Sequence, residues 1–353
     1  MRKFKKIFQS TIAKVISITL ITLFALSVFF YFDFYKREFN KCKGYYLVYQ
    51  GDKALKKHDL SSAIYFYERG IKFHPGHYKA MYNLANIYVA YEDYYSALKN
   101  YENALKIRPD YEVARIDYAI ILSQTFKTDE AIEQYKKVID NQPNKFLKIP
   151  FLVDRKKSYN HNKGVAYYNM GIAYRTKSLL AGLDNISRRQ YLKKAGDSYN
   201  EASKILKSYN SNYNLGLIHQ LLGNNSQAGY YYCKAMEASP MEYEAHFNHA
   251  ILLKDMKKYT YSFEEFNKAG IILGIKGDGE KTKYIIDMLS EVNQKMTRNK
   301  DKDKAKKEKE DIEEFIKYKA GKVVLDSKNE KQNESFYQNF KKCEGYELFK
   351  GTR

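Results

Sequence analysis

The chain has no tryptophan, only five prolines and only three cysteines in 353 residues. The cysteines, at 42, 233 and 343, are far apart and lack metal-ligand spacing. Their odd, sparse count neither demands nor excludes an oxidising compartment. No phosphate-cradling glycine loop and no nucleophile motif is present. The seven histidines are scattered; His246 and His249 belong to a packed seam, and His74 and His77 flank the Pro75-Gly76 turn. No catalytic residue, metal or cofactor is expected, so the protein is read as a non-enzyme. The formal net charge is +20, but Lys is interleaved with Asp and Glu throughout and no nucleic-acid motif accompanies it. A nucleic-acid partner is therefore not expected, and the Lys-, Asn-, Ile- and Tyr-rich composition points as much to an AT-rich genome.

The scarce prolines carry the organisation. Pro75, Pro109 and Pro143 lie 34 residues apart. Twelve residues before them stand Ala63, Ala97 and Ala131, and eight before stand Tyr67, Tyr101 and Tyr135. Five before come Gly70, Ala104 and Val138, and twenty-four before come Gly51, Ala85 and Ala119. The small residues let two helices approach closely. The Tyr, one turn beyond the Ala on the same face, fills a seam. The Pro, with no amide hydrogen, ends the second helix. Gly216, Ala228, Tyr232, Ala235 and Pro240 return to this register, and Ala250, Ser262, Phe266 and Ala269 follow 34 residues on, with Gly274 in place of the Pro. Between the blocks, Met170, Gly171 and Tyr174 pair with Ala195, Tyr199 and Ala202, with an insertion around Thr176–Gln190.

This pattern resembles the tetratricopeptide (TPR) helix-turn-helix repeat. It departs in placing Leu47, Met81 and Tyr167 where the family favours Trp, and 35 Tyr and 20 Phe take over seam filling. The resemblance implies an all-α, right-handed superhelical solenoid of about six repeats, needing no single large core. The organisation expected is a basic segment and anchor at 1–43, repeats one to three at 44–143, an inserted loop at 144–163, and repeats four to six at 164–274. A closing helix at 275–299, with a stripe of Tyr284, Ile285, Met288, Leu289 and Val292, and a charged tail at 300–353 complete it, residues 300–310 being a solvated helix or a tether.

Arg2, Lys3, Lys5 and Lys6 precede an uncharged run from Val15 to Phe32, and Phe29 to Tyr35 supply an aromatic belt before Lys36 and Arg37. Eighteen helical residues would span about 27 Å, close to a bilayer's hydrocarbon core. The small-x-small site Ala25-Leu26-Ser27 lies inside the run, which favours an uncleaved single-pass anchor over a cleaved signal. Basic residues flank both ends, so charge barely orients the span. The short N-terminus leans towards repeats outside the cytoplasm, as in a bacterial inner-membrane protein, and Lys36–Lys43 suits anionic headgroups.

In the family, first helices line a concave groove. Here position six carries Asn83, Asn169, Asn214 and Asn248, each preceded by an aromatic: Tyr82, Tyr168, Tyr213 and Phe247. Asn86 joins the same face. The resemblance implies an amide ladder that pairs with the backbone of an extended peptide, since an amide both donates and accepts. A local intrahelical or capping role is the rival reading. The expected function is a membrane-anchored scaffold for a protein partner, the alternative a non-catalytic targeting or assembly subunit of a membrane or envelope enzyme complex. The segment 39–47 recurs as 340–348, sharing Phe, Lys, Cys, Gly, Tyr and Leu. Chance, an uncompleted seventh first helix and Cys42–Cys343 pairing all fit it.

Overall fold

The computed structural model describes residues 2–141, 155–297, 302–326 and 338–349. Every regular element among them is helical. Residues 1–121 form one compact unit and 122–353 a second. The first unit holds α1 (Arg2–Phe30), α2 (Phe32–Lys56), α3 (Leu60–Phe73), α4 (Tyr78–Ala90), α5 (Tyr94–Ile107) and most of α6 (Glu112–Gln124). The second holds α7 (Thr128–Asp140), α8 (Arg155–Ser178), α9 (Asn185–Leu206), α10 (Tyr209–Leu221), α11 (Asn225–Ala238), α12 (Tyr243–Asp255) and α13 (Tyr259–Lys276). α14 (Gly279–Thr297), α15 (Lys302–Asp326) and a 3-10 turn at Tyr346–Leu348 follow.

The repeat register sets the packing. Ala63, Ala97, Ala131, Ala195, Ala228 and Ser262 are all fully buried, as are Tyr67, Tyr199, Tyr232 and Phe266. The small residue of each first helix meets the aromatic ring of its own partner helix. A Cβ on Gly216 would sit 2.7 Å from Tyr232 Cδ1, and one on Gly171 would sit 2.7 Å from Tyr199 Cε1. These two helix pairs pack at that separation because nothing larger than hydrogen stands there. α3, α5 and α11 end at Phe73, Ile107 and Ala238, each two residues before Pro75, Pro109 and Pro240. Pro143 and residues 144–154 lie outside the described residues.

Inside each hairpin the turn repeats too. His58, Glu92, Phe126 and Lys257 adopt positive φ at the same register position, with Gly223 the glycine among them. At each, the next residue's amide donates five residues back, as Asp59 N does to Ala54 O at 3.0 Å and Lys258 N to Leu253 O at 2.8 Å. This closure satisfies helix-end carbonyls, at a left-handed cost of about 1 kcal/mol for each non-glycine residue. Asp59 and Asp93 then accept from Ser62 N and Ser96 N, each at 3.0 Å, capping the second helices.

Several expectations are corrected. The apolar run does not form one straight helix through Phe32: α1 ends at Phe30 and the chain bends by 81° into α2. Among the described residues no single helix is long and apolar enough to cross a membrane, although the bent pair passes that test together. The basic cluster Arg155, Lys156 and Lys157 is not loop but the first turn of α8. In α14, Ile286 is buried and Tyr284 is 54% exposed, so the core stripe is Ile285, Ile286, Leu289 and Val292.

The charged tail also packs. Ile316 and Ala320 of α15 are buried, and Gly274 exists to admit them, since a Cβ there would lie 2.9 Å from Ala320 Cβ. That explains why α13 continues past the position where earlier repeats place Pro. Residues 338–349 form a strap across α11, α12 and α13. Phe340 packs with Ile271 and Ile272, and Phe349 enters the cluster of Tyr232, Met236, Leu252 and Leu253. Cys343 is bonded to Cys233, with a Cα–Cα distance of 5.3 Å. Cys42 is therefore not its partner; it is exposed and free. The two Cys-Gly-Tyr segments share a sequence but not a conformation: 39–47 is α2 helix, whereas 340–348 turns through Gly345 at φ +71°.

Candidate peptide-binding surface and the buried cluster behind it

In the second unit, α8, α10 and α12 are the first helices of successive repeats. Their position-five aromatics reach across to position six of the next helix. Asn214 Nδ2 donates to Tyr168 OH at 3.3 Å, and Asn248 Nδ2 donates to Tyr213 OH at 2.8 Å. In the first unit the same reach joins Tyr82 OH to Asp117 Oδ2 at 2.8 Å. A tyrosine–polar tie therefore recurs along the first-helix faces, linking neighbours through side chains. Burial raises the Tyr82 hydroxyl to about 12 and pushes the Asp117 carboxyl upward. Burial likewise raises Tyr168 and Tyr213.

The asparagines are not equivalent. Asn214 is buried, at 9% exposure; it also donates to Asn210 O and accepts from Arg175 Nη1 at 3.1 Å. It does not face open solvent as expected, and its valences are spent on the fold. Asn86 accepts from the Tyr101 hydroxyl within its own hairpin. Asn83 donates to Asp52 Oδ1 and Tyr67 OH, each at 3.3 Å. Asn169 donates back to Val165 O at 3.0 Å, an intrahelical bond. In Asn83, Asn169 and Asn248 only the amide nitrogen is engaged among the described residues, and the carbonyl oxygen stays available as an acceptor. Phe247 is half-buried against Phe266 and Tyr284.

Beside these polar groups runs an apolar column that the asparagine pattern did not reveal. Position nine holds Ile172, 36% exposed, with half-buried Leu217 and Ile251, and Leu221 is 60% exposed one turn on from Leu217. The face thus offers carbonyl acceptors next to a row of aliphatic side chains.

Behind α12 lies a buried polar cluster. His246 Nδ1 is 2.6 Å from Glu265 Oε2, and its Nε2 is 3.0 Å from Pro240 O. Both neighbours present acceptor oxygens to the ring. Glu265 Oε1 also accepts from Glu344 N at 2.7 Å and from Lys268 Nζ at 3.4 Å, which ties the strap to the cluster. Burial alone would raise the Glu265 carboxyl, but His246 and Lys268 beside it hold it down at about 2. Burial depresses the His249 imidazole to about 4. The fold gathers Cys233, Cys343 and His249 into a group whose donor atoms lie within 4.8 Å of one another. Sequence spacing hid this group, because its members come from two helices and a strap. His77 has a plainer role: its Nδ1 accepts from Ala80 N at 3.2 Å and caps α4.

These shifts set an acid sensitivity. Unfolded His249 would bind its proton near pH 6.5 while the folded ring resists until about 4, so stability falls as pH drops through that window. Glu265 adds a loss as pH falls from about 4.5 towards 2, because its folded carboxyl stays ionised. Both act in one direction. Between pH 7 and pH 4 the second unit should lose on the order of 3 kcal/mol, read as a falling midpoint in denaturant titrations. A midpoint that holds across this range contradicts the cluster.

A family profile described as tetratricopeptide repeat matches residues 89–146. The small glutamine-rich tetratricopeptide repeat-containing protein 2 of Saccharomyces cerevisiae is 34% identical over 103 residues, 29% of this chain and 29% of that protein. The chain thus spans under a third of that relative's length. The fold is similar to that of pilF from Pseudomonas aeruginosa, with a TM-score of 0.51 and 11% identity, covering 70% of this chain and 96% of the other. It is also similar to PilW, described as a widely conserved type IV pilus biogenesis factor, with a TM-score of 0.50, 15% identity, and coverage of 69% and 98%. At those identities the likeness speaks for the fold alone. The 34-residue register, the buried Ala–Tyr seams, the matched profile and the similar folds agree: the chain carries tetratricopeptide repeats, matched by the profile over residues 89–146.

Proposed function

We propose that this protein is a membrane-anchored scaffold whose second unit binds an extended segment of a protein partner along α8, α10 and α12. The observation that carries the reading is the pairing of unused Asn169 and Asn248 carbonyls with the apolar column of Ile172, Leu217 and Ile251. An extended backbone presents amide hydrogens to the carbonyls, while alternate side chains meet the aliphatic row. In the first unit, Tyr82, Asn83 and Asn86 are proposed to serve a corresponding face. Binding rather than chemistry is the role that fits a family of stacked hairpins.

Anchoring is proposed for α1. Val15, Ile18, Leu20, Ile21, Leu23, Phe24, Phe29 and Phe30 are each more than half exposed, on every side of the helix. A soluble protein rarely presents so large an apolar surface; lipid would cover it. The basic N-terminus is read as cytoplasmic, which puts the repeats on the far side, and protease access to intact cells reads this directly.

The test is site-specific photocrosslinking of the full chain in its native membranes. A photoreactive residue at Ile172, Leu217 or Ile251 should trap one common partner, and the same residue at Lys193 or Asp197 of α9 should trap none. Trapping from α9 in place of the first helices would move the surface elsewhere.

A further inference from the structure

His249 is an unexplained group. It is fully buried, its Nε2 has no hydrogen-bond partner, and its Nδ1 faces Cys343 Sγ at 3.6 Å and Glu265 Oε1 at 3.9 Å. A sulfur already in a disulfide is a weak acceptor, and Glu265 is committed to His246, Lys268 and Glu344. A buried imidazole so poorly matched costs stability unless another state uses it. The atoms it faces name that state. Cys233 Sγ, Cys343 Sγ and a His249 ring nitrogen lie within 4.8 Å of one another, the separation that three donors around one small cation require once the sulfurs part.

We infer that, with its two cysteines reduced, the protein binds one thiophilic divalent cation, of which Zn2+ is the type, through Cys233, Cys343 and His249. Charge favours this class. Two thiolates and a neutral imidazole around a divalent ion sum to zero, which suits a buried site. A monovalent ion would leave a net negative charge beside the Glu265 carboxylate. Cys343 is only partly buried, so the fourth position can hold water. Disulfide and metal are then alternatives at one pair of sulfurs, and either one fastens the strap to α11. Passing from the first to the second takes two electrons, supplied in the test by an added phosphine, and two protons from the water whose oxygen ends in the phosphine oxide. Binding then releases the two thiol protons to solvent.

The experiment uses the full chain carrying Cys42→Ser, which removes the exposed free thiol. Phosphine-reduced protein titrated with Zn2+ against a chromophoric chelator should bind one equivalent, and Co2+ in its place should show thiolate charge-transfer absorption. The oxidised protein should bind none there. Cys343→Ser and His249→Ala should each weaken binding on the order of 100-fold or more, with circular dichroism confirming the helices. The oxidised–reduced comparison needs no variant to fold. Equal Zn2+ binding by oxidised and reduced protein, no saturable equivalent in the reduced protein, or full affinity in folded His249→Ala would each overturn the site.

Discussion

Replacing Ala97 with Glu should unfold the first unit or strip it of most of its stability. Ala97 has no exposed surface, and its neighbours are Ala85, Tyr101 and Ile121 with Tyr82, Tyr88 and Leu98 around them. A carboxylate there is larger than the seam and meets an apolar lining. It can be buried ionised, at a cost of several kcal/mol, or protonated at neutral pH at a similar cost. Against a total stability of roughly 5–15 kcal/mol, that is a large fraction. Ala97→Ser, which adds one small polar atom, should cost far less, so the pair separates charge and bulk from mere substitution. Helical signal and melting temperature measure both. A Glu variant that melts like the wild type would mean the helix faces are misassigned, and with them the repeat register.

Charging the first helix should release the protein from membranes. Leu20 and Phe24 lie mid-way along Lys14–Phe30 and are 62% and 67% exposed. Arg at the centre of a spanning helix costs about 2.5–3.5 kcal/mol. Two such substitutions therefore shift partitioning by roughly 5–7 kcal/mol, and Leu20→Arg/Phe24→Arg should move from the carbonate-washed pellet to the supernatant. The wild-type chain should stay in the pellet with Met1–Lys6 attached. Wild-type protein recovered mainly in the supernatant would remove the anchor. The 81° turn at Tyr31 hands the chain from α1 to α2 within the aromatic stretch Phe29–Tyr35, ahead of Lys36 and Arg37.

The hairpin stack was legible because its causes are local and periodic. Pro75, Pro109 and Pro240 stop helices wherever they fall, and the Ala and Tyr offsets mark one helix face each. The fully buried Tyr67, Tyr199 and Tyr232 follow from that alone. The turns were less legible. Nothing in His58, Glu92, Phe126 or Lys257 announces a left-handed residue, because the helix-end closure imposes it against intrinsic preference. The C-terminal region was misjudged for a different reason. A charged helix such as α15 looks solvated by composition, yet two small glycines on α13 let Ile316 and Ala320 pack against them. The Cys233–Cys343 bond joins residues 110 apart in sequence, a separation no spacing rule reaches.

The asparagines show where family resemblance and geometry part. Position six suggests an amide ladder at Asn83, Asn169, Asn214 and Asn248, with Tyr49 and Asp117 departing from it, but Asn214 is consumed by Arg175, Tyr168 and its own helix. Its substitution should lower the stability of the second unit before it touches binding. Asn169 and Asn248 keep an unused carbonyl because their donors alone are satisfied within the fold.

The central claim is therefore tested most directly by titrating the trapped partner segment against Asn169→Ala/Asn248→Ala, leaving Asn214 in place, with thermal melting as the folding control. Each lost hydrogen bond is worth about 1 kcal/mol, so the double variant should bind on the order of 30-fold more weakly while melting close to the wild type. Unchanged affinity in a folded double variant would contradict a binding surface on α8, α10 and α12.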